Sequence, residues 1–285
     1  MKAFALLLVC FVVAGASPVK ALEWPLKYEV EEGTVSPDGR FGIIVFHGEI
    51  SPDGEIEGLD EANYLADLKT RQVVGRIRGS SYFWPHNRVS LNAVWSPDSS
   101  RCVVLYHRRW WFEGIELLEI GPSRMKQTNL RGEVRDSLLK AGKDLEGGAV
   151  AHFDGCLVRI GCLADDNPKA FEDRETHRVF FTGTYDCKAR GWLSADVRPV
   201  TLSQFDALLE VVSSWQTGPE EQSFTPDQRL NAVYQALRAI GPVRRFSTLR
   251  SQQRAWLASV GPPEKRRRVQ VEARIAALER SLWTR

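Results

Sequence analysis

Ser36-Pro37-Asp38-Gly39-Arg40-Phe41 and Trp95-Ser96-Pro97-Asp98-Ser99-Ser100-Arg101 are two versions of one corner, each running straight into an apolar stretch. Proline presets the first central position of a turn, the aspartate carboxylate bonds nearby backbone, and glycine accepts a positive φ. Outward from these corners, short runs dense in valine, isoleucine and aromatics recur between clusters of turn residues: Phe41 to His47, Tyr64 to Leu68, Val73 to Ile77, Val89 to Trp95, Cys102 to His107, Ile115 to Ile120, Cys156 to Ile160, Val179 to Thr184 and Trp192 to Val197. Runs of this length between such punctuation predict antiparallel strands joined by hairpins. One helix is expected to interrupt them, because Leu130, Val134, Leu138, Ala141 and Leu145 repeat at helical spacing.

Beyond residue 200 the period changes. Thr201-Leu202-Ser203-Gln204 is a capping-box pattern, followed by an apolar face of Phe205, Leu208, Leu209 and Val212 and stopped by Gly218-Pro219. Thr225-Pro226-Asp227-Gln228 repeats the signal, with proline at the first helical position, where its missing N–H costs nothing. Leu230, Val233, Tyr234 and Leu237 then mark one helix; Phe246, Leu249, Gln253, Trp256 and Val260 a second; Val271, Ile275, Leu278 and Leu282 a third. The expected fold is α+β. A β-rich antiparallel blade-like domain (propeller-like or a sandwich) spans 22–200, a connecting helix 201–219, and a small antiparallel helical bundle 220–285.

At 285 residues, 43% hydrophobic and 26% charged, with mean hydropathy −0.27, the composition excludes a disordered, collagen-like or multi-spanning chain. Residues 1–21 read as a cleaved secretory signal: Lys2 gives a positive start, Ala3 to Ala14 is apolar, and Ala14-Gly15-Ala16 and Val19-Lys20-Ala21 are both small-x-small cleavage sites, the second favoured. The apolar run is shorter than the roughly 18–20 residues of a spanning helix; an uncleaved anchor is the alternative. The expected location is therefore outside the cytoplasm, periplasmic or secreted, with no transmembrane segment once the signal is removed. Export would put Cys102, Cys156, Cys162 and Cys187 where disulfides form. If Gly155 to Leu163 is one strand, Cys156 and Cys162 lie about 20 Å apart, too far to bridge, and would pair only with others such as Cys187 or Cys102. Four buried thiols are the equal alternative.

Charge divides the chain in two. Residues 220–285 carry 13 Lys/Arg and 6 Asp/Glu, a net of +7, whereas 22–219 carry 23 and 30, a net of −7. A basic tail suits anionic partners such as cell-envelope polymers; nucleic acid is not expected in an exported protein.

Two resemblances follow from particular residues. The two corners and the β runs after them resemble the WD40-like repeat of TolB-type β-propellers, over about two units in residues 27–120. Ser51-Pro52-Asp53-Gly54 follows the first too closely to start another blade of about 40–45 residues. Further on, Leu230-Asn231-Ala232-Val233-Tyr234, Leu249, Gln253-Arg254-Ala255-Trp256-Leu257, and Arg274 with Leu278 resemble the lysozyme inhibitor LprI N-terminal domain family of exported bacterial proteins. That family usually ties its helices with cysteines, and this segment has none. The resemblance implies a small domain that binds lysozyme or another envelope protein non-covalently. Common lysozymes being cationic, it also implies contact through a local fit or through acidic residues such as Asp53, Glu55, Glu57, Asp60 and Glu61.

The partner-binding candidates are Asn231, Gln253 and Arg254, together with Lys265, Arg266, Arg267 and Arg268, four cations opening a helix where the dipole disfavours them. Arg254 could instead cap a carbonyl or pair with Glu272. His107 to Phe112 mixes charge with aromatics, as a stacking surface or an ordinary β edge. Gly-x-Ser-x-Gly, His-Glu-x-x-His and P-loop motifs are missing, and His47, His86, His107, His152 and His177 are scattered. Asp165, Asp166, Glu172 and Asp173 are the remaining acid-pair candidates for a hydrolase. The expectation is a binding protein rather than an enzyme, with no catalytic residue, no cofactor and no metal.

Overall fold

The computed structural model describes residues 22–49, 62–79, 81–84, 89–108, 112–121, 124–142, 146–165, 177–215, 225–240, 243–260 and 268–283. The chain is α+β, with three sheets in succession, antiparallel apart from the two-residue β6, and helices after them. The first sheet contains β1 (Leu22–Glu23), β2 (Tyr28–Val30), β3 (Phe41–His47), β4 (Asn63–Asp67) and β5 (Gln72–Ile77) in the order β1-β5-β4-β3-β2, with β6 (Phe83–Trp84) parallel to β3. The second is a meander of β7 (Val89–Trp95), β8 (Arg101–Arg108), β9 (Phe112–Ile120) and β10 (Met125–Asn129). Helix α1 (Arg131–Ala141) leads to the third, a meander of β11 (Glu146–Asp154), β12 (Leu157–Asp165), β13 (Arg178–Asp186) and β14 (Gly191–Pro199).

All nine apolar runs are strands. Two full-length strands carried no such signal, each for a visible reason. β10, Met-Lys-Gln-Thr-Asn, is a polar edge strand that pairs Met125 with Ile120 through Asn129 with Glu116. β11 is rich in glycine and alanine but pairs with β12 at nine successive positions, and its small Ala149 and Ala151 let the second and third sheets approach.

The sheets lie face to face. Side chains alternate across a strand, so each sheet feeds two layers. Phe41, Ile43 and Val45 of β3 meet Cys102, Val104 and Tyr106 of β8 between the first two sheets. Val103 and Leu105 of β8 face the other way, onto Val158, Ile160 and Phe181 of the third. Leu130, Val134 and Leu138 bring α1 against this second layer, as their spacing predicted.

The two quoted corners are the same object twice. Ser36 Oγ donates to Asp38 Oδ1 (2.6 Å) and accepts from Phe41 N–H (2.9 Å); Ser96 Oγ donates to Asp98 Oδ1 (2.6 Å) and accepts from Arg101 N–H (2.9 Å). Gly39 has φ 67° and its counterpart Ser99 φ 56°. Hydroxyls of Ser96 and Ser100 hold the Asp98 carboxyl down at about 2. The corners also touch: Asp38 N–H donates to Ser99 Oγ (3.3 Å), Trp95 Nε1 donates to Thr34 O (2.9 Å), and the Phe41 and Trp95 rings stack. A third corner, Asp154-Gly155, joins the first two strands of the third sheet, with Gly155 at φ 61° and Asp154 accepting from Arg159 Nη2 (2.9 Å). Arg101 reaches it, its guanidinium 5.9 Å from the Phe153 ring centroid. Lacking the Ser-Pro-Asp signature, this corner did not stand out in the sequence, although three of the four strands of its sheet did.

Helices α2 (Leu202–Trp215), α3 (Pro226–Ile240), α4 (Val243–Val260) and α5 (Arg268–Trp283) follow. Both capping boxes form reciprocally: Thr201 N–H donates to Gln204 Oε1 (3.0 Å) and Gln204 N–H to Thr201 Oγ1 (3.3 Å), and Thr225 and Gln228 repeat this at 2.8 and 3.3 Å. The buried face of α2 is Phe205, Leu208 and Val211, whereas Leu209, expected on it, is exposed. Positions 205, 208 and 211 follow one side of the helix, and Leu209 turns away. α2, α3 and α5 share a core with Val150, Leu163 and Phe180 from the free face of the third sheet. No described helix is long and apolar enough to cross a membrane.

Candidate functional site

An open cleft of about 500 Å³ lies between α3 and α4, lined by Asp227, Asn231, Tyr234 and Gln235 on one side and Arg250, Gln253 and Arg254 on the other, over Leu230 and Leu257. The buried face of α3 (Leu230, Val233, Leu237) anchors it in the shared core and leaves Asn231 exposed one step around the helix. Tyr234 and Trp256 are half-buried and pack against the edge of that core, and Tyr234 also forms part of the cleft wall.

The three candidates that fall on described side chains here, Asn231, Gln253 and Arg254, are brought to one place. Their roles differ. Gln253 is buried and its Oε1 accepts from Arg274 Nε (3.0 Å), while the Arg274 guanidinium sits 6.0 Å from the centroid of the Trp256 ring. Burial pushes the Arg274 guanidinium below its ordinary pKa. Gln253 thus positions the wall. Arg254 is exposed at the rim, and the Glu272 that could have paired with it is held by Arg229 Nη1 (3.2 Å). Asp227, Gln235 and Arg250 were missed; they stand out only once α3 and α4 are set side by side.

On α5 Glu279 is buried, and burial raises its carboxyl to about 8, the Arg229 charge opposing and the Glu272 charge adding to the shift. Among the described residues Glu279 Oε1 accepts no hydrogen bond.

Lys265, Arg266 and Arg267 lie outside the described residues, and Arg268 is described only as the first backbone position of α5. The signal at 1–21, the acidic group from Asp53 to Glu61, residues 109–111, and Asp166, Glu172 and Asp173 likewise lie outside them. His107 is a core residue: its Nε2 lies 2.9 Å from Ala149 O, and burial lowers its pKa. Asp165, at the end of β12, is buried. Among the described residues no group of three or more His, Cys, Asp or Glu is placed to hold a metal.

Cys102, Cys156, Cys162 and Cys187 are free thiols. Cys102 lies in the layer between the first and second sheets, and Cys162 in the layer between the second and third, opposite Ala149 and Phe181. The second sheet separates them, and burial raises both thiols.

No protein-family model, curated protein or solved structure matches the chain.

Proposed function

We propose that this protein is an exported cell-envelope binding protein, similar to the LprI-type lysozyme inhibitors, that takes its partner non-covalently in the α3–α4 cleft. One observation carries this reading: the two halves of the motif, Asn231 and Tyr234 on α3 and Gln253 and Arg254 on α4, line a single cleft. Its floor is apolar, its rim is polar, and Arg254 stands exposed at the edge, the composition of a binding hot spot. In this reading α2 to α5 act as a small bundle and the three sheets as blades of a propeller-like stack, their corners in a row; the stack is the scaffold and no bond chemistry takes place. Clearing of a bacterial suspension by several lysozymes is the test: micromolar protein slows clearing by at least one of them, and no effect on any removes the reading.

A second reading is favoured by one feature. α4 carries Arg244, Arg245, Arg250 and Arg254 and no carboxylate. Such a helix suits an anionic envelope polymer, held as on a scaffold. Binding to a polyanion then falls steeply between low and physiological salt; salt-insensitive binding, or none, removes this alternative.

A further inference from the structure

We propose that Cys156 and Cys187 close a cross-strand disulfide at the corner of the third sheet when the protein meets an oxidised thiol–disulfide couple. The register of β12 and β13 pairs Leu157 with Asp186, and one step outward sets Cys156 opposite Cys187. Cys187 N–H donates to Cys156 O (3.0 Å), the hydrogen-bonded type of antiparallel pair. Cα atoms in such a pair are about 5.5 Å apart, inside the window of about 4.4–6.8 Å that a disulfide needs.

Parity supplies the direction. Val158, Ile160 and Cys162 on one strand and Tyr185, Phe181 and Val179 on the other all face the layer toward the second sheet. Cys156 and Cys187 belong to the same two alternating sets, so both thiols point to that face, and Cys187 is buried in the layer. Cys102 and Cys162 have no such opposite number: Cys102 pairs with Trp95 and Leu118, Cys162 with Ala149 and Phe181.

The chemistry balances with an external disulfide as oxidant. Half-buried Cys156 attacks it as thiolate, forming a mixed disulfide and releasing one thiolate. Cys187 then attacks the Cys156 sulfur, closes the bridge and releases the second. Two protein thiols lose two protons and two electrons, and the oxidant leaves as two thiols. Arg101 assists the second attack: burial raises the Cys187 thiol, and the Arg101 guanidinium, hydrogen-bonded to it, opposes that rise.

The test uses the full chain incubated with oxidised glutathione, alkylated, then unfolded, reduced, alkylated with a second reagent and mapped by mass spectrometry. The expected result is a linked peptide pair holding Cys156 and Cys187, with Cys102 and Cys162 recovered as thiols. In Cys187→Ser the bridge is lost and Cys156 stops as its glutathione adduct, which a purely structural cysteine would not do. Should Cys187→Ser fail to fold, the wild-type map decides alone. Free Cys156 and Cys187 after oxidation, a wild-type chain left as the glutathione adduct, or a link from either to another cysteine or a second copy would overturn the proposal.

Discussion

The sheet stack and the helices each bury a glutamate, and they treat it differently. Glu116 of β9 has no exposed surface, and both its oxygens are held: Asn129 Nδ2 donates to Oε1 (2.5 Å) and Gln127 Nε2 to Oε2 (2.8 Å). Gln127 also exchanges hydrogen bonds with Arg78 N and O at the end of β5, so the carboxyl links the first two sheets. Gly79, at φ 98°, completes the fit, because a Cβ there would come within 2.7 Å of Oε1. Glu279 of α5 is equally buried but has an oxygen with no partner among the described residues. A polar group satisfied on all sides fixes an arrangement, whereas a half-satisfied one costs stability. The difference lies between these two carboxyls: Glu116 ties the first two sheets together, whereas Glu279 is enclosed by the helices with one oxygen left over among the described residues.

Between stack and helices the largest expected effect falls on two neighbours of β13. Phe181 faces the layer between the second and third sheets, and Phe180 faces the helices. Phe181→Ala and Phe180→Ala each cost about 3–5 kcal/mol. Because the third sheet serves both layers, thermal unfolding of each variant stays a single transition; helices that melt separately in Phe180→Ala would break the shared core in two.

The twin corners give the next largest effect. Ser36→Ala and Ser96→Ala each remove a buried hydroxyl that bridges an aspartate and a backbone N–H, at about 1–3 kcal/mol. The two losses should match within about 0.5 kcal/mol, measured by urea unfolding; a large disparity would show that the corners are alike in shape but not in role.

The two glutamates separate by pH. Glu116 is raised from 4.5 to about 7, by burial above all, with Gln127 and Asn129 opposing, and Glu279 from 4.5 to about 8. For each, the folded state binds the proton more tightly than the unfolded chain, so the stabilisation is full below the unfolded pKa and is lost as pH rises through the folded value. Wild-type melting temperature should fall from pH 5 upward through both values. Glu116→Gln removes its share of the slope between 4.5 and about 7 and Glu279→Gln its share between 4.5 and about 8, so that between about 7 and 8 only the Glu279 share remains. A slope unchanged in both variants would assign it elsewhere.

What the sequence disclosed follows from how local each signal is. The Ser-Pro-Asp corners, the apolar strands and the Thr-x-x-Gln caps are complete within a few residues, and each appears as expected. β10 and β11 were hidden because their place comes from partners: the amides of Gln127 and Asn129 answer to Glu116, and Ala149 and Ala151 to the sheet pressed on them. The third corner was hidden because Asp154-Gly155 alone is a weak turn signal. At the cleft, Asn231, Gln253 and Arg254 stood out by motif, but only packing distinguishes Gln253, turned inward to Arg274, from Arg254, left at the rim. Glu279 occupied a position that helical spacing alone could not tell from a solvated one.

The smallest effect on stability belongs to the most informative variant. Arg254→Ala alters an exposed side chain and should change stability by no more than about 0.5 kcal/mol. Titration calorimetry of wild-type and Arg254→Ala protein against the same lysozymes at physiological salt tests the binding claim directly. Wild type should bind at least one of them in the micromolar range or tighter, and Arg254→Ala should weaken that binding about tenfold, or 1.4 kcal/mol, with its melting temperature unchanged. Wild-type protein that binds none of them, or a variant that binds as tightly as wild type, would contradict the account.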